Sequence, residues 1–132
     1  MPKYSFIVPV YNRPDEVDEL LQSLTAQRFR DFDVTIVEDG SADTCRHIVE
    51  KFAERLPINY LEQPNGGPSA ARNNGAAHAA GDYLIFLDSD VIVPDGYLDA
   101  VDKAVDERGL QCFGGPDASH PSFTPIQKAI NY

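Results

Sequence analysis

Cysteine is scarce in this chain. Its 132 residues include only two cysteines, Cys45 and Cys112, which lie far apart in the sequence. Neither belongs to a C-x-x-C pair or to a cysteine–histidine cluster. Isolated cysteines of this kind are typical of buried free thiols in a reducing compartment, so we expect a cytoplasmic setting.

Positive charge is also scarce. The chain has 11 lysines and arginines against 21 aspartates and glutamates, which gives a formal net charge of −10. Nucleic-acid binding depends on basic side chains that neutralise phosphates, so this composition argues against a nucleic-acid partner. An anionic ligand would have to bind against the overall field, with the help of a metal ion, a helix N-terminus or a well-placed arginine.

Long apolar runs and the common nucleotide-binding motifs are missing as well. No run approaches the length of a membrane span, and the apolar stretch near the N-terminus is too short for a signal peptide. No G-x-G-x-x-G follows the first apolar run, and no G-x-x-x-x-G-K-[ST] occurs. The dinucleotide fingerprint and the P-loop are therefore excluded.

Short apolar runs that alternate with helical patterns are present along the chain. Strands are predicted at residues 4–10, 33–38, 58–62, 83–87 and 111–114. Helices are predicted from Pro14, after Ser41 as N-cap, from Pro68 to near Gly81, and after Pro94. This alternation predicts one α/β domain over residues 1–132, with an open, mainly parallel sheet and helices on both faces.

Polar residues follow the first four predicted strands. In open parallel sheets, ligands bind outside the carboxyl ends of the strands, so these segments should meet at one edge. They are Tyr11-Asn12, Asp39, residues 65–67 and Asp88-Ser89-Asp90.

The acids after the fourth strand suggest a metal site. Side chains two apart in an extended segment point the same way, so Asp88 and Asp90 can converge on one cation. Carboxylate oxygens at a partly open site suit Mg²⁺ or Mn²⁺ shared with substrate phosphates. The alternative is a simple turn that caps the next helix.

Three further residues are candidates for ligand contacts. Tyr11 can stack on a base or sugar, or can simply pack. Asp39 can accept hydrogen bonds from a ribose or a base N–H, or can form an Asp-Gly turn. Arg72 lies one turn into a helix that begins after Gly66-Gly67, where it can contact a diphosphate or pair with a nearby carboxylate.

Four motifs together resemble family 2 glycosyltransferases. They are residues 5–12 (Ser-Phe-Ile-Val-Pro-Val-Tyr-Asn), 38–43, 65–75 and 81–90, and they occur in the family's order over most of the chain up to about residue 100. The resemblance implies the GT-A nucleotide-sugar fold. It also implies metal-dependent transfer of a sugar, with inversion, from a nucleotide-diphosphate sugar to an acceptor hydroxyl.

The resemblance also implies roles for single residues. Pro9, Tyr11 and Asp39 would hold the nucleoside, with Asp39 on the base, and Arg72 would lie by the diphosphate. In the acid-x-acid motif, Asp90 would be the principal ligand of Mn²⁺ or Mg²⁺. Asp88 would bind the metal and also lie near the ribose, and Ser89 belongs to the same substrate site.

The chain departs from the family pattern in two places. Glu38 stands where the family more often has a second aspartate. The family's catalytic base is an acid well downstream of the metal motif, and Asp117 does not match its setting. We therefore expect the base beyond Tyr132, and this chain to be the donor-binding part of a longer enzyme.

The resemblance also implies partners and a cellular setting. The expected donor is a UDP-sugar and the expected acceptor is a saccharide or a lipid-linked molecule. The implied setting is the cytoplasm, at the inner face of the cell membrane, with any membrane association made by regions outside this chain.

Two other function classes fit the sequence less well. A sugar-nucleotide nucleotidyltransferase would normally have a loop rich in glycine and basic residues after the first strand, where this chain has Val10-Tyr11-Asn12-Arg13-Pro14. A non-catalytic Mg²⁺-binding regulatory module would have acids after the first strand and a lysine after the last, and neither is present.

Overall fold

The structure is a computed structural model that describes residues 2–108. The predicted fifth strand at 111–114, Cys112 and Asp117 lie outside the described residues. Within residues 2–108, no helix is both long enough and apolar enough to cross a membrane.

The strands are β1 (Tyr4–Val10), β2 (Phe32–Asp39), β3 (Ile58–Gln63) and β4 (Tyr83–Phe86). The helices are α1 (Pro14–Thr25), α2 (Arg46–Phe52), α3 (Pro68–His78) and α4 (Tyr97–Arg108).

The four strands form one parallel sheet in the order β3-β2-β1-β4. β1 is central, with Val8 opposite Ile36 of β2 and Phe6 opposite Ile85 of β4. The sheet confirms the predicted α/β class, and the predicted bounds of the first four strands agree with the structure to within one residue. The carboxyl ends of the strands therefore lie at one edge, as the alternation of strands and helices requires.

One face of the sheet carries the main hydrophobic core. α1 shows why: Pro14 suits the first helical position, and its apolar residues recur at helical spacing, so that one stripe is buried completely. The core joins alternate strand residues to α1, α2 and α4, and includes Phe6, Val8, Val34, Ile36, Leu20, Leu21, Leu24, Phe52, Leu98 and Val101.

The other face is covered by α3, which approaches the sheet very closely. A Cβ atom at Gly75 would lie 2.5 Å from Ile7 Cγ2 and 3.2 Å from Val37 Cγ2. Ala71, one turn earlier, is fully buried. Small residues are therefore required on this side of α3, and they place the start of the helix beside the ends of β1 and β2.

The prediction that Ser41 caps the second helix is wrong. α2 begins at Arg46, with Cys45 at the N-cap position and no side-chain cap hydrogen bond from Cys45 itself. The Ser41 hydroxyl instead donates to Glu38 Oε1 at 2.7 Å. Glu38 Oε2 accepts the Cys45 N–H at 2.5 Å, so a carboxylate from β2 satisfies the helix start, where a negative charge is favourable.

Candidate functional site

A cleft of about 480 Å³ opens at the carboxyl ends of β1, β2 and β4. Six of the seven residues singled out from the sequence line it, and Asp90 is the exception. The lining residues are Pro9, Val10, Tyr11, Arg13, Asp39, Asn65, Gly67, Pro68, Arg72, Asp88 and Ser89. Segments that are distant in sequence thus meet at the predicted edge, while their roles as ligand contacts stay predictions.

Asp39 is the most heavily hydrogen-bonded side chain at this edge. Its Oδ1 accepts from Gln63 Nε2 and from the Gly66 N–H, each at 2.8 Å. Its Oδ2 accepts from the Gly67 N–H at 3.0 Å and from Asn65 Nδ2 at 3.3 Å. A carboxylate offers about four acceptor positions, so these donors use all of them. Asp39 therefore organises the loop before α3 as well as lining the cleft.

The start of α3 faces the cleft. Gly67 has a φ of +94°, a conformation that favours glycine, and Pro68 occupies the first turn of the helix. In the loop after β2, Gly40 has a φ of +74°, and a Cβ there would lie 2.6 Å from the Asn65 nitrogen. The missing side chain of Gly40 lets the loops after β2 and β3 approach each other, and the N-terminus of α3 supplies a partial positive charge.

Arg72 and Asp88 meet inside the cleft. Arg72 Nη2 lies 3.8 Å from Asp88 Oδ1, and the two side chains are 20% and 30% exposed. The ion pair that the sequence left open as an alternative for Arg72 is thus present. Both groups remain accessible from the cleft, so the contact does not remove either from a ligand.

The acid motif forms a turn but does not cap a helix. The Val91 N–H donates to the Asp88 carbonyl at 3.2 Å, and α4 does not begin until Tyr97. Asp90 is exposed and lies outside the cleft lining. Ser89 donates to Glu16 Oε1 at 3.1 Å, which ties the motif to the first turn of α1.

The described residues do not assemble a complete protein metal cage. Among residues 2–108, no group of three or more histidine, cysteine, aspartate or glutamate side chains is arranged to hold an ion. The acid motif supplies Asp88 to the cleft lining, and the exposed Asp90 follows two residues later in the turn, outside the lining. Magnesium is commonly held by one or two carboxylates plus substrate phosphates, so this donor set fits a shared Mg²⁺ or Mn²⁺.

Tyr11 forms the exposed rim of the cleft. Tyr11 is 52% exposed, so a large part of its ring is available to a ligand. Asn12 has a φ of +54°, and its Oδ1 accepts the N–H groups of Ala42 and Asp43 at 2.8 and 3.0 Å. These bonds fix the loop after β1 against the loop after β2 and set the position of Tyr11.

Glu38 connects the same two loops from below. Its carboxylate accepts hydrogen bonds from Ser41 and Cys45, as described above, and a third from the Tyr60 hydroxyl at 2.9 Å. The Ser41 hydroxyl in turn accepts the Asn12 N–H at 2.9 Å, which joins the loop after β2 to the loop after β1. Burial and the negative charge of Glu38 raise the pKa of the Cys45 thiol. Cys45 therefore stays protonated at neutral pH and is unsuited to act as a nucleophile.

The sequence predicted Asn65 at this edge without giving it a role, and it did not predict ligand-site positions for Arg13 or Gln63. Arg13 lines the cleft next to Tyr11, and Asn65 lines it beside Asp39. Gln63 contacts Asp39 because the two residues are opposite each other in the β2–β3 register. The position of Arg13 after the first strand was a usable signal, whereas the contact of Gln63 depends on strand pairing.

Comparison with protein families gives one match over nearly the whole chain. Residues 5–131 match the family described as Glycosyl transferase family 2. The chain is 37% identical over 106 residues to glycosyltransferase GlyA of Streptococcus pneumoniae. It is 38% identical over 112 residues to the poly(ribitol-phosphate) beta-N-acetylglucosaminyltransferase TarS of Staphylococcus aureus.

These relatives are much longer than the chain. The matches cover 80% and 82% of this chain but only 15% of GlyA and 20% of TarS. The chain therefore corresponds to a small part of each relative.

Solved structures show the same fold. S. aureus TarS 1-349 in complex with UDP-GlcNAc superimposes with a TM-score of 0.78 at 33% identity, over 90% of this chain and 37% of that chain. The mannosyltransferase PcManGT from Pyrobaculum calidifontis, in complex with GDP-Man and Mn²⁺, gives a TM-score of 0.71 at 27% identity, over 87% and 36%. The GT-A fold expected from the sequence is thereby confirmed.

Proposed function

The chain belongs to glycosyl transferase family 2, and on that premise we propose that its cleft binds the nucleoside diphosphate of a nucleotide-sugar donor. One observation carries the proposal. The cleft brings together an exposed aromatic ring, a buried carboxylate, a helix N-terminus with an arginine, and the first acid of the acid-x-acid motif, all at the carboxyl edge of one parallel sheet. Each of these groups suits a different part of such a donor.

The nucleoside lies between Tyr11, Pro9 and Asp39 in this proposal. Tyr11 supplies a ring face for stacking, and Asp39 accepts a base N–H. The 3.3 Å contact of Asn65 Nδ2 with Asp39 Oδ2 is the longest of the four, and the same amide also donates to the Asp39 carbonyl at 2.9 Å. Asn65 can therefore yield its place on Oδ2 to a base N–H while keeping its other hydrogen bond.

The diphosphate lies at the start of α3. The helix N-terminus favours an anion, and Arg72 adds a full positive charge within the cleft. Arg13, at the rim beside Tyr11, contributes a second positive charge. These positive groups offset the repulsion that a chain of net charge −10 exerts on an anionic ligand.

Asp88 and Asp90 would hold Mn²⁺ or Mg²⁺ together with the donor phosphates, and Asp88 and Ser89 would also lie by the donor. When bound, the cation supplies positive charge that stabilises the departing nucleoside diphosphate. The complex of PcManGT with GDP-Man and Mn²⁺ supports this proposal.

The reaction proposed for the whole enzyme is inverting sugar transfer. An acceptor hydroxyl attacks the anomeric carbon in line with the bond to the diphosphate, and that bond breaks as the new glycosidic bond forms. The residues of this chain bind and orient the donor, and a base beyond Tyr132 takes the proton of the hydroxyl. The complex of TarS with UDP-GlcNAc supports a UDP-sugar as donor, and we propose a saccharide or lipid-linked acceptor at the cytoplasmic face of the membrane.

Calorimetric titration of the chain with UDP tests the proposal. We expect binding in the presence of Mn²⁺ that weakens at least tenfold in excess chelator, with uridine binding more weakly than UDP in Mn²⁺. An absence of UDP binding in Mn²⁺ would overturn the proposed donor site. Equal affinity in Mn²⁺ and in chelator would overturn the metal role alone.

A further inference from the structure

Three polar side chains from three different elements form a directed chain of hydrogen bonds behind the cleft. Asn74 Nδ2 on α3 donates to Gln63 Oε1 at 2.9 Å, and Gln63 Nε2 at the end of β3 donates to Asp39 Oδ1 at 2.8 Å. We call Asn74, Gln63 and Asp39 the amide relay. Gln63 and Asn74 belong to none of the residue sets to which a ligand role has been assigned above.

The fold brings these residues together through two separate contacts. Asp39 and Gln63 are direct partners in the parallel register of β2 and β3. Asn74 precedes Gly75, whose missing Cβ lets α3 lie against Ile7 and Val37. The relay therefore forms only when both the strand register and the seating of α3 are correct.

The relay has a fixed direction. An amide side chain has one accepting oxygen and one donating nitrogen, so the bond from Asn74 to the oxygen of Gln63 turns the nitrogen of Gln63 toward Asp39. The carboxylate of Asp39 therefore faces the donating nitrogen of Gln63. In the flipped orientation of the Gln63 amide it would face the oxygen, which cannot donate. A hydrogen bond to a charged acceptor is stronger than one between neutral groups.

The relay also links the two ends of the proposed donor site. Asp39 lies at the nucleoside end, and the carboxylate binds the N–H groups of Gly66 and Gly67 that precede α3. Arg72 is carried by the same helix as Asn74, two residues earlier, and lines the cleft. A shift of α3 would therefore disturb the bonds of Asp39 and the position of Arg72 together.

We propose that Gln63 and Asn74 are positioning residues that hold Asp39 and the start of α3 in the arrangement that binds a nucleoside diphosphate. The inference rests on the proposed function, because it concerns the same cleft. Neither residue needs to touch the ligand. Their effect passes through Asp39 and through the backbone amides of Gly66 and Gly67.

Two variants test the relay in ligand binding. Gln63→Met keeps the length of the side chain and removes its polar atoms, and Asn74→Ala removes the first donor. Each should weaken UDP binding in Mn²⁺ about three- to tenfold, the effect of one lost hydrogen bond. The double variant should lose less than the product of the two single effects, because both changes interrupt one relay. Asn59→Ala, an exposed amide on the same strand, is the matched control and should leave UDP affinity unchanged.

A second measurement examines positioning without any ligand. Hydrogen exchange at the Gly66 and Gly67 amides should be several-fold faster in Gln63→Met than in the parent, because Asp39 is less firmly held. Gln63→Glu, which keeps an acceptor for Asn74 but sets a second carboxylate against Asp39, should show the same change if Gln63→Met does not fold.

The outcomes separate the two proposals. A parent chain that binds no UDP overturns the proposed function, and the exchange rates of Gly66 and Gly67 then decide the positioning role by themselves. A parent that binds UDP, with both single variants folded and within twofold of its affinity, overturns the relay and leaves the donor site standing. A lowered melting temperature with unchanged UDP affinity would mark Gln63 and Asn74 as merely structural, and would also overturn the inference.

Discussion

Arg72 and Asp88 form an ion pair across the cleft, with 3.8 Å between Arg72 Nη2 and Asp88 Oδ1. One side chain comes from the first turns of α3 and the other from the loop after β4. The pair places a positive and a negative group at the point where the proposed diphosphate and its cation would meet. Each charge thereby keeps the other in the cleft, and both remain partly exposed.

The Arg72→Ala variant should lose affinity for phosphate-bearing ligands selectively. We expect UDP binding in Mn²⁺ to weaken about tenfold or more, since a charged hydrogen-bond donor contributes about 1.5–3 kcal/mol. Uridine binding should change less than twofold, because the proposal places Arg72 at the diphosphate and not at the base. Calorimetry with both ligands measures the difference. Arg28→Ala, an exposed position on the described surface, is the control, and a parallel loss for uridine would argue for general disruption.

The Asp90→Asn variant should remove the metal dependence of UDP binding and leave the fold intact. An amide oxygen is a weaker ligand for a hard divalent cation than a carboxylate, and Asp90 is exposed, so its replacement disturbs no packing. UDP affinity in Mn²⁺ should fall to the value measured in chelator, with an unchanged circular dichroism spectrum. Asp95→Asn, exposed and outside the cleft lining, should keep the full response to Mn²⁺. Retention of that response by Asp90→Asn would contradict its role as principal ligand.

The Gly75→Ala variant should destabilise the chain although alanine is the better helix former. Helix propensity alone would favour alanine by about 1 kcal/mol. The new Cβ would lie 2.5 Å from Ile7 Cγ2, however, and overpacking of a tight contact typically costs about 1–3 kcal/mol. Urea denaturation followed by circular dichroism measures the net change. Asn73→Ala, exposed on the same helix, should shift the unfolding free energy by about 0.5 kcal/mol or less. A more stable Gly75→Ala chain would show that α3 has room to move.

The Asp102→Asn variant should reduce the loss of stability in acid. Asp102 accepts from Lys3 Nζ at 2.6 Å and from the Tyr4 hydroxyl at 2.9 Å, which joins α4 to the start of β1. Burial acts to raise the pKa of Asp102, but the hydrogen bonds from Lys3 and Tyr4 outweigh it, and the net pKa is lower than usual.

The sign of the pH effect follows from that lowered pKa. The pair stabilises the folded chain above the pKa of an unfolded aspartate, about 3.9, and this contribution is lost as the pH falls toward the lower folded value. At pH 7 the variant should be less stable by about 1 kcal/mol or less, and the difference should vanish in strong acid. Unfolding free energies measured from pH 7 to pH 2 test this, with the exposed Asp99→Asn as control. A difference that stays constant across this range would exclude the ionised pair as its source.

Strand positions and the site edge could be predicted from the sequence because the signals are local. The run at residues 83–87 is apolar without interruption, which indicates a buried strand. Pro14 and Pro68 mark helix starts, because proline suits the first helical turn whatever the tertiary contacts of the helix are. Once strands and helices alternate, each helix returns the chain so that the next strand runs parallel to the last, and the carboxyl ends of parallel strands lie at one edge. The approach of Tyr11, Asp39 and Asp88 to one cleft therefore followed from order alone.

Side-chain partners could not be predicted in the same way. Ser41 has the properties of a helix cap, yet its hydroxyl bonds Glu38, because the loop places α2 four residues further on. The role of Glu38 itself depends on Cys45 and Tyr60, which approach it from different elements. Competing hydrogen-bond partners differ by little free energy, so backbone geometry decides among them.

By itself, the sequence determined the α/β class, the family and the edge at which the candidate site lies, because these depend on periodicity, turn residues and motif order along the chain. Only the tertiary structure decided that Asp39 holds the loop before α3 and that Arg72 faces Asp88. It also decided that Gln63 donates to Asp39 and that Asn74 donates to Gln63. These relationships join residues that are 11 to 28 positions apart or come from separate elements. Their distances are set by strand register and by the close seating of Gly75, which no local pattern encodes.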